Sequence, residues 1–555
     1  MLYPFFIWQS KVRLYYKNVI SKSVFFYFLF FTLSHFFIFC GCGSPPNVST
    51  GIIQYTQDNA LTSLDPAFAR SQANNWLCRQ LYNGLIDLDD SLRLTPALAT
   101  RYEVSADGLV YTFHLRQPVY FHKNACFGLP DSTRRVIAAD VVYSFGRIIS
   151  TALHSPGSWV FVGRVDSLQP FSAPNDSTFV LRLRAPFRPM LQILTMPYCS
   201  IVAHEAVDFY GNNYRSNPVG TGAFGLVAWR ENQVLLLAKN KAYWEANLPR
   251  AEGIRVSFVT DKNTQFLDFR LGNLDFISNP NAIVLRQLIT KNGTLLDKWR
   301  EKYQYQRGDF LNTEYLGINL AKAEKDRSPL QIKALRQALN YGFDRAKLLR
   351  TVKNGIGTPA YAGFAPKGLP SFDTSVVGYT YNPAKARQLL AAAGYPDGRG
   401  LPPLTLSCDA DYLDYCTFIV RQWADIGVRC QVETVEKAML RELMAKGEVA
   451  FFRASWIADY PDAENFYTVF YSKNEAPPNY TRFRNAQFDK LYEQAIGENN
   501  EARRYALYRA LDNILIEEAP VIFVFYDQTA RFAQKNVRGL VPNAMNIVAL
   551  KQVRK

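Results

Sequence analysis

A chain of 555 residues is too long for one hydrophobic core and should divide into two or three bodies. With 48% hydrophobic and 20% charged residues it reads as an ordinary globular protein, which excludes an intrinsically disordered one. The formal charge is +15, of which residues 1–41 supply four with no acid, leaving +11 on the remainder. There the basic residues are interspersed with Asp and Glu. No concentrated Lys/Arg tract or aromatic–basic signature appears, so no nucleic-acid partner is expected. A basic surface near an anionic membrane accounts for the charge.

Lys11, Arg13, Lys17 and Lys22 precede an apolar run over residues 24–40. The run is short for a spanning helix and long enough for a signal-peptide core. Immediately after it, Phe39-Cys40-Gly41-Cys42-Gly43-Ser44 resembles a bacterial lipobox, with Cys42 as the acylated first mature residue. Phe39 departs from the usual Leu, and Cys40 from the usual small residue. The expectation is a signal peptide over 1–41 and a lipid on Cys42, with an uncleaved N-terminal anchor as the alternative. Either outcome exports the body and tethers it to a membrane. Six cysteines follow, Cys78, Cys126, Cys199, Cys408, Cys416 and Cys430. Export permits disulfides, but no pairing can be assigned, and without a CxxC pair no zinc or redox site is expected. Cys416 reads as a helix-packing residue.

Past the Ser-Pro-Pro-Asn linker, Gly51 to Tyr55 reads as the first strand, and Tyr111 to Arg116 alternates like a half-buried one. Asp140, at the head of an apolar helix, reads as its N-cap. His114 and His122 invite a metal hypothesis, yet no third ligand has suitable spacing, so no metal is expected. Asn217-Pro218-Val219-Gly220-Thr221-Gly222 is a glycine-punctuated turn opening a strand. A phosphate cradle would instead lead into a helix and carry a Lys.

A strand over Ile254 to Val259, a helix ending near Gly272 and a short strand over Leu274 to Ile277 follow. A new lobe begins around Tyr315. Ile332, Leu335 and Leu339 recur at helical spacing, Asp344 is placed to cap the next helix, and Asn382-Pro383 and Gly394 bound another. Helix Tyr412 to Ile426, strand Arg429 to Thr434 and helix Lys437 to Lys446 continue a βαβα alternation that predicts a mainly parallel sheet. A helix over Glu501 to Glu517 and a strand over Val521 to Phe525 return the chain to the first lobe.

The run Phe451-Phe452-Arg453-Ala454-Ser455-Trp456-Ile457-Ala458-Asp459-Tyr460-Pro461-Asp462 starts as an apolar strand and breaks into a carboxylate-bearing turn. In α/β domains ligands sit in the crevice at a strand's carboxyl end. Asp459 would stand there beside an aromatic wall from Trp456, where a buried carboxylate calls for a cation. The alternative is an Asp that only caps the turn.

Arg453-Ala454-Ser455-Trp456-Ile457-Ala458-Asp459-Tyr460 resembles the corresponding stretch of the oligopeptide-binding proteins of bacterial ABC importers, in the extracellular solute-binding protein family 5. Further motifs match the family in order from about Ile52 to about Asn546. They are Leu64-Asp65-Pro66, Leu81-Tyr82-Asn83-Gly84-Leu85, the Tyr111–Phe145 pairing, Pro218–Phe224, Lys239–Trp244 and Ala334–Tyr341.

The resemblance implies an α/β fold of periplasmic-binding-protein type, type II, large cluster with an extra subdomain, with two lobes, a hinge and a cleft. It implies lobe I from 42–73, an extra subdomain over 74–210, lobe I again over 211–312, lobe II over 313–522, and a lobe I return over 523–555. It further implies a binding site in which Asp459 meets a peptide's α-amino group, Trp456 lines a side-chain pocket and Arg453 meets the carboxylate of some peptides. Ser455 replaces a Gly common in close relatives, and Ile457 and Tyr460 complete the set.

The expected partners are a short peptide, the permease subunits of an ABC transporter and, through the lipid, the membrane. The expected state is a monomer in the cell envelope, on the periplasmic side of a Gram-negative cell. A sugar or a metal chelate is the alternative ligand. An exported hydrolase is the alternative class. No Gly-x-Ser-x-Gly elbow or His-Glu-x-x-His helix is present, so no catalytic residue, cofactor or enzymatic activity is expected.

Overall fold

The computed structural model describes residues 51–58 and 61–555. The expected signal peptide over 1–41 and the expected lipidation site Cys42 lie outside the described residues. Among the described residues, no helix is long and apolar enough to cross a membrane.

The first strand, Ile52–Gln57, buries alternate residues and pairs in parallel with Gly253–Phe258. Val234–Lys239 and Phe224–Arg230 extend this sheet antiparallel to four strands. A second four-stranded sheet holds Ala99–Val104, Val110–Leu115, Thr178–Arg182 and Phe171–Asn175. One continuous core joins the two, from Ile53 and Val256 to Phe113, Phe145 and Phe179. The glycine-punctuated turn packs against the end of helix Gln72–Leu81. A Cβ on Gly222 would overlap the Gln80 carbonyl and one on Gly220 the Leu81 carbonyl, so backbone meets backbone there. That close approach, and not a phosphate, is what the two glycines serve.

Asp140 differs from its expected place. The helix runs Ala138–Ile149, with Ile137 at the N-cap and Asp140 at the third helical position. Its carboxylate reaches back to accept the Ile137 N–H at 2.9 Å and pairs with Arg134 at 2.7 Å. A carboxylate serves the helix N-terminus from either position, so sequence alone misplaces the cap by three residues. The other caps stand as expected. Asp344 accepts from Lys347 N at 2.9 Å, Asn382 accepts from Lys385 N at 2.9 Å, and Gly394 ends that helix at φ +90°.

The largest sheet is mixed, which corrects the expectation of a mainly parallel one. Its order is Phe276–Ser278, Val521–Gln534, Tyr303–Ile318, Phe451–Ile457, Leu404–Cys408 and Cys430–Thr434. Only Leu404–Cys408 pairs in parallel, with Cys430–Thr434 and with Phe451–Ile457. The two longest strands, Tyr303–Ile318 and Val521–Gln534, run antiparallel to each other through its centre. The expected strand at Val521 thus continues to Gln534, because its far half pairs with residues 303–309 and with Phe276–Ser278.

Register along the long pair slips between Asp309 and Thr313 and again between Glu314 and Tyr315. Below the first slip the sheet packs with Phe269, Ile277 and Val284. Above it the sheet is buried on both faces. Leu316, Ile318, Phe451, Ile522 and Val524 pack against helices on one side, and Tyr315, Phe452, Val521 and Phe523 pack on the other. Strands buried on both faces read as unbroken apolar runs, which is why Phe451-Phe452 stood out in sequence.

Candidate ligand-binding crevice

Strand Phe451–Ile457 emerges from this core by degrees. Phe451 to Ala454 are buried, Ser455 and Trp456 are half-buried, and Ile457 is 52% exposed. The chain then turns, and one side chain holds the turn. Asn465 Oδ1 accepts from Trp456 Nε1 at 3.2 Å and from the Asp459 backbone N–H at 3.1 Å, while its amide nitrogen stands 3.5 Å from Asp459 Oδ2. Asn465 is itself buried.

Asp459 combines two properties. It keeps an exposed surface, yet the protein atoms crowding round it raise its carboxyl above the ordinary range, the Asn465 hydrogen bond only partly opposing that. Exposure by area with desolvation by density describes a group on a concave wall. Among the described residues, no cation offsets the desolvation. Across from it stands Tyr198, whose hydroxyl is pushed up to about 12, first by burial and then by the Asp459 charge. Tyr198 lies over Gly157, where a Cβ would overlap the ring.

Tyr460 points away from Asp459. It is buried, its hydroxyl donates to Glu464, and its ring lies 6.4 Å from that of Trp159 at an interplanar angle of 30°. Beside it Arg188 N donates to Ile496 O at 2.8 Å. Tyr460 and Ile496 therefore pack against the segments that carry Trp159 and Arg188.

Arg453 is not at the surface of the crevice. Its Nη2 lies 2.6 Å from Glu314 Oε2, its Nε donates to the Tyr415 hydroxyl at 2.7 Å, and its guanidinium lies 3.0 Å from the centre of the Tyr412 ring. Burial opposes its charge, and the facing Glu314 carboxylate more than reverses that, holding it protonated. The cluster thus brings Asp459, Trp456 and Ser455 to one strand end and sends Arg453 and Tyr460 into the packing behind it. Sequence reading missed Asn465, Tyr198 and Glu314. For Glu314 a signal was present: an acid inside the apolar strand Leu311–Ile318, like Arg453 inside its own, needs a buried partner of opposite sign.

Cys78, Cys126, Cys199, Cys408, Cys416 and Cys430 are free thiols, with Cys416 buried on helix Leu413–Ala424. Both ring nitrogens of His122 face the glycine turn, Nε2 at 2.9 Å from Gly222 O and Nδ1 at 3.4 Å from Gly220 N. Among the described residues, no group of three His, Cys, Asp or Glu is placed to hold a metal ion.

The model of the bacterial extracellular solute-binding proteins, family 5, matches residues 93–478. The chain belongs to that family. Its members are the solute receptors of ABC importers, periplasmic or extracellular binding proteins and not enzymes. The chain is 30% identical over 524 residues to heme-binding protein A of Haemophilus influenzae, covering 91% of this chain and 89% of that one. It is 26% identical to the glutathione-binding protein GsiB of Escherichia coli, covering 86% and 89%. The solved structure of HbpA2 from Haemophilus parasuis is similar at a TM-score of 0.79 and 26% identity, covering 91% of this chain and all of that one. The two-lobed type II fold expected from the sequence is the one observed.

Proposed function

We propose that this receptor takes short peptides, gripping the α-ammonium of the ligand with Asp459 in a crevice that closes between two lobes. The observation that carries this reading is a desolvated carboxylate on a concave aromatic wall, with no cation offsetting it among the described residues. A ligand ammonium supplies the missing charge, and a charge-assisted hydrogen bond forms. Glutathione, in the name of one relative, is a peptide with a free α-amino group. Trp456 and Ile457 offer apolar surface to ligand side chains, and Ser455 lies where ligand backbone would run. Tyr460 and Arg453 support this wall from behind.

Lobe I would comprise 42–73, 211–312 and 523–555 with its subdomain over 74–210, and lobe II would comprise 313–522. The two long strands would form the hinge, flexing at the register slip beside Asp309. The protein would act as a monomer, tethered by a lipid on Cys42 and delivering its ligand to the permease.

Asp459→Asn keeps the shape and removes the charge. A hydrogen bond to a charged group contributes about 1.5–3 kcal/mol, so affinity for a free-amine peptide should fall roughly ten- to a hundredfold. N-acetylation of the peptide should weaken native binding to a similar degree and matter little to the variant. Calorimetry on both proteins with both ligands tests this, and equal affinity of native and variant for the free amine would refute it. Haem is the second reading, favoured by the name of the relative at 30% identity. Its propionates share the sign of Asp459, and a haem titration followed in the Soret band separates the two.

A further inference from the structure

We infer that Glu314 is a specificity-determining positioning residue: by holding Arg453 in an internal ion pair, it withdraws from the crevice the cation that would read a ligand carboxylate. The inference rests on the peptide reading above and goes beyond it by naming which end of the ligand is read.

The Arg453–Glu314 pair is closed from every side. Glu314 Oε2 receives Arg453 Nη2 at 2.6 Å, Arg453 Nε at 3.1 Å and the Tyr415 hydroxyl at 3.0 Å, while Oε1 receives Asn312 Nδ2 at 3.2 Å. Asp409, at the carboxyl end of strand Leu404–Cys408, stands 3.6 Å from Arg453 Nη1. The side chains of Arg453, Glu314 and Asp409 are 6%, 3% and 9% exposed.

One guanidinium therefore faces two carboxylates, and Asp459 adds a third negative group at the end of the same strand. To reach a ligand carboxylate, Arg453 would have to leave Glu314 buried without a partner, and an uncompensated buried charge is among the costliest defects a fold carries. On and against this strand, one cation thus stands with three carboxylates. This arrangement selects a cation on the ligand and leaves the ligand's own carboxylate unread at this position. The crevice should accept amidated or otherwise carboxyl-blocked amines as readily as free acids.

The test is calorimetric titration of a dipeptide, its C-terminal amide and its N-acetyl form against the native protein, E314Q and the double variant E314Q/R453M. The native protein should bind acid and amide within about threefold of each other. E314Q leaves the guanidinium only the more distant Asp409 and should prefer the acid about tenfold or more, and E314Q/R453M should return to indifference. A merely structural role for Glu314 would weaken acid and amide alike. A native protein that loses about tenfold or more on amidation overturns the inference. Should E314Q fail to fold, the native protein and the double variant decide the matter on the same comparison. Should the native protein bind none of the three ligands, the peptide reading fails, and thermal melts in acetate decide the inference separately. Acetate raising the midpoint of E314Q but not of the native protein supports it, and an equal rise in both refutes it.

Discussion

The backbone N–H of Asp459 donates to Oδ1 of Asn465 at 3.1 Å, and the same oxygen accepts from the Trp456 indole at 3.2 Å. One buried amide thus sets both the aromatic wall and the carboxylate of the crevice. Its amide nitrogen also donates to Asp459 Oδ2, over a long 3.5 Å.

Asn465→Ala should therefore weaken ligand binding through its hold on Asp459 and Trp456. The loss of two hydrogen bonds and a buried acceptor is expected to cost about 1–3 kcal/mol of stability. Affinity should fall more than Asp459→Asn/Asn465→Ala falls below Asp459→Asn alone, because a mispositioned carboxylate and an absent one are the same loss. Thermal melts and a calorimetric double-mutant cycle measure both. Additive losses in affinity would show that Asn465 does not act through Asp459.

Ligand binding should weaken at higher pH than an ordinary carboxylate would dictate. The free Asp459 carboxyl is raised above 3.8 by desolvation. A bound ammonium favours its charged form and lowers it again. Affinity is then complete above the raised value and is lost as pH falls through it, with protons released on binding in that window. Titrations in buffers of different ionisation heat read that release. Asp459→Asn should abolish it.

Asp512 should make the fold less stable as pH rises from about 4 to about 7. It is buried, accepts from Phe364 N at 2.7 Å and from the Tyr467 hydroxyl at 2.8 Å, and burial pushes its carboxyl up to about 7. The folded state therefore holds a proton that the unfolded chain gives up near 3.8. The stability tied to that proton is complete below the unfolded value and gone above the folded one. The difference is on the order of 2–4 kcal/mol. Denaturant unfolding of native protein and Asp512→Asn at pH 5 and pH 8 should show the variant free of this slope.

What the sequence by itself determined were the features that depend on near neighbours in the chain. Asp344, Asn382 and Gly394 bound their helices because cap chemistry acts within three or four residues. Phe451-Phe452 announces a strand covered on both faces, and the break after Ile457 announces the strand end where Asp459 stands. Ordered motifs then carried the fold, since a family's motif order encodes its topology.

The tertiary structure decided what depends on distant pairs. The βαβα alternation said nothing of Tyr303–Ile318 meeting Val521–Gln534, more than 200 residues apart, and that pairing makes the sheet mixed. Gly220 and Gly222 read as turn residues until the Leu81 and Gln80 carbonyls came against them. The family resemblance implied that Arg453 meets the carboxylate of some peptides. Glu314 lies 139 residues away, and only the pairing of two strands places it 2.6 Å from the guanidinium. The charge a crevice presents is what remains after such pairs have cancelled, and that remainder is set by side chains brought together across the sheet.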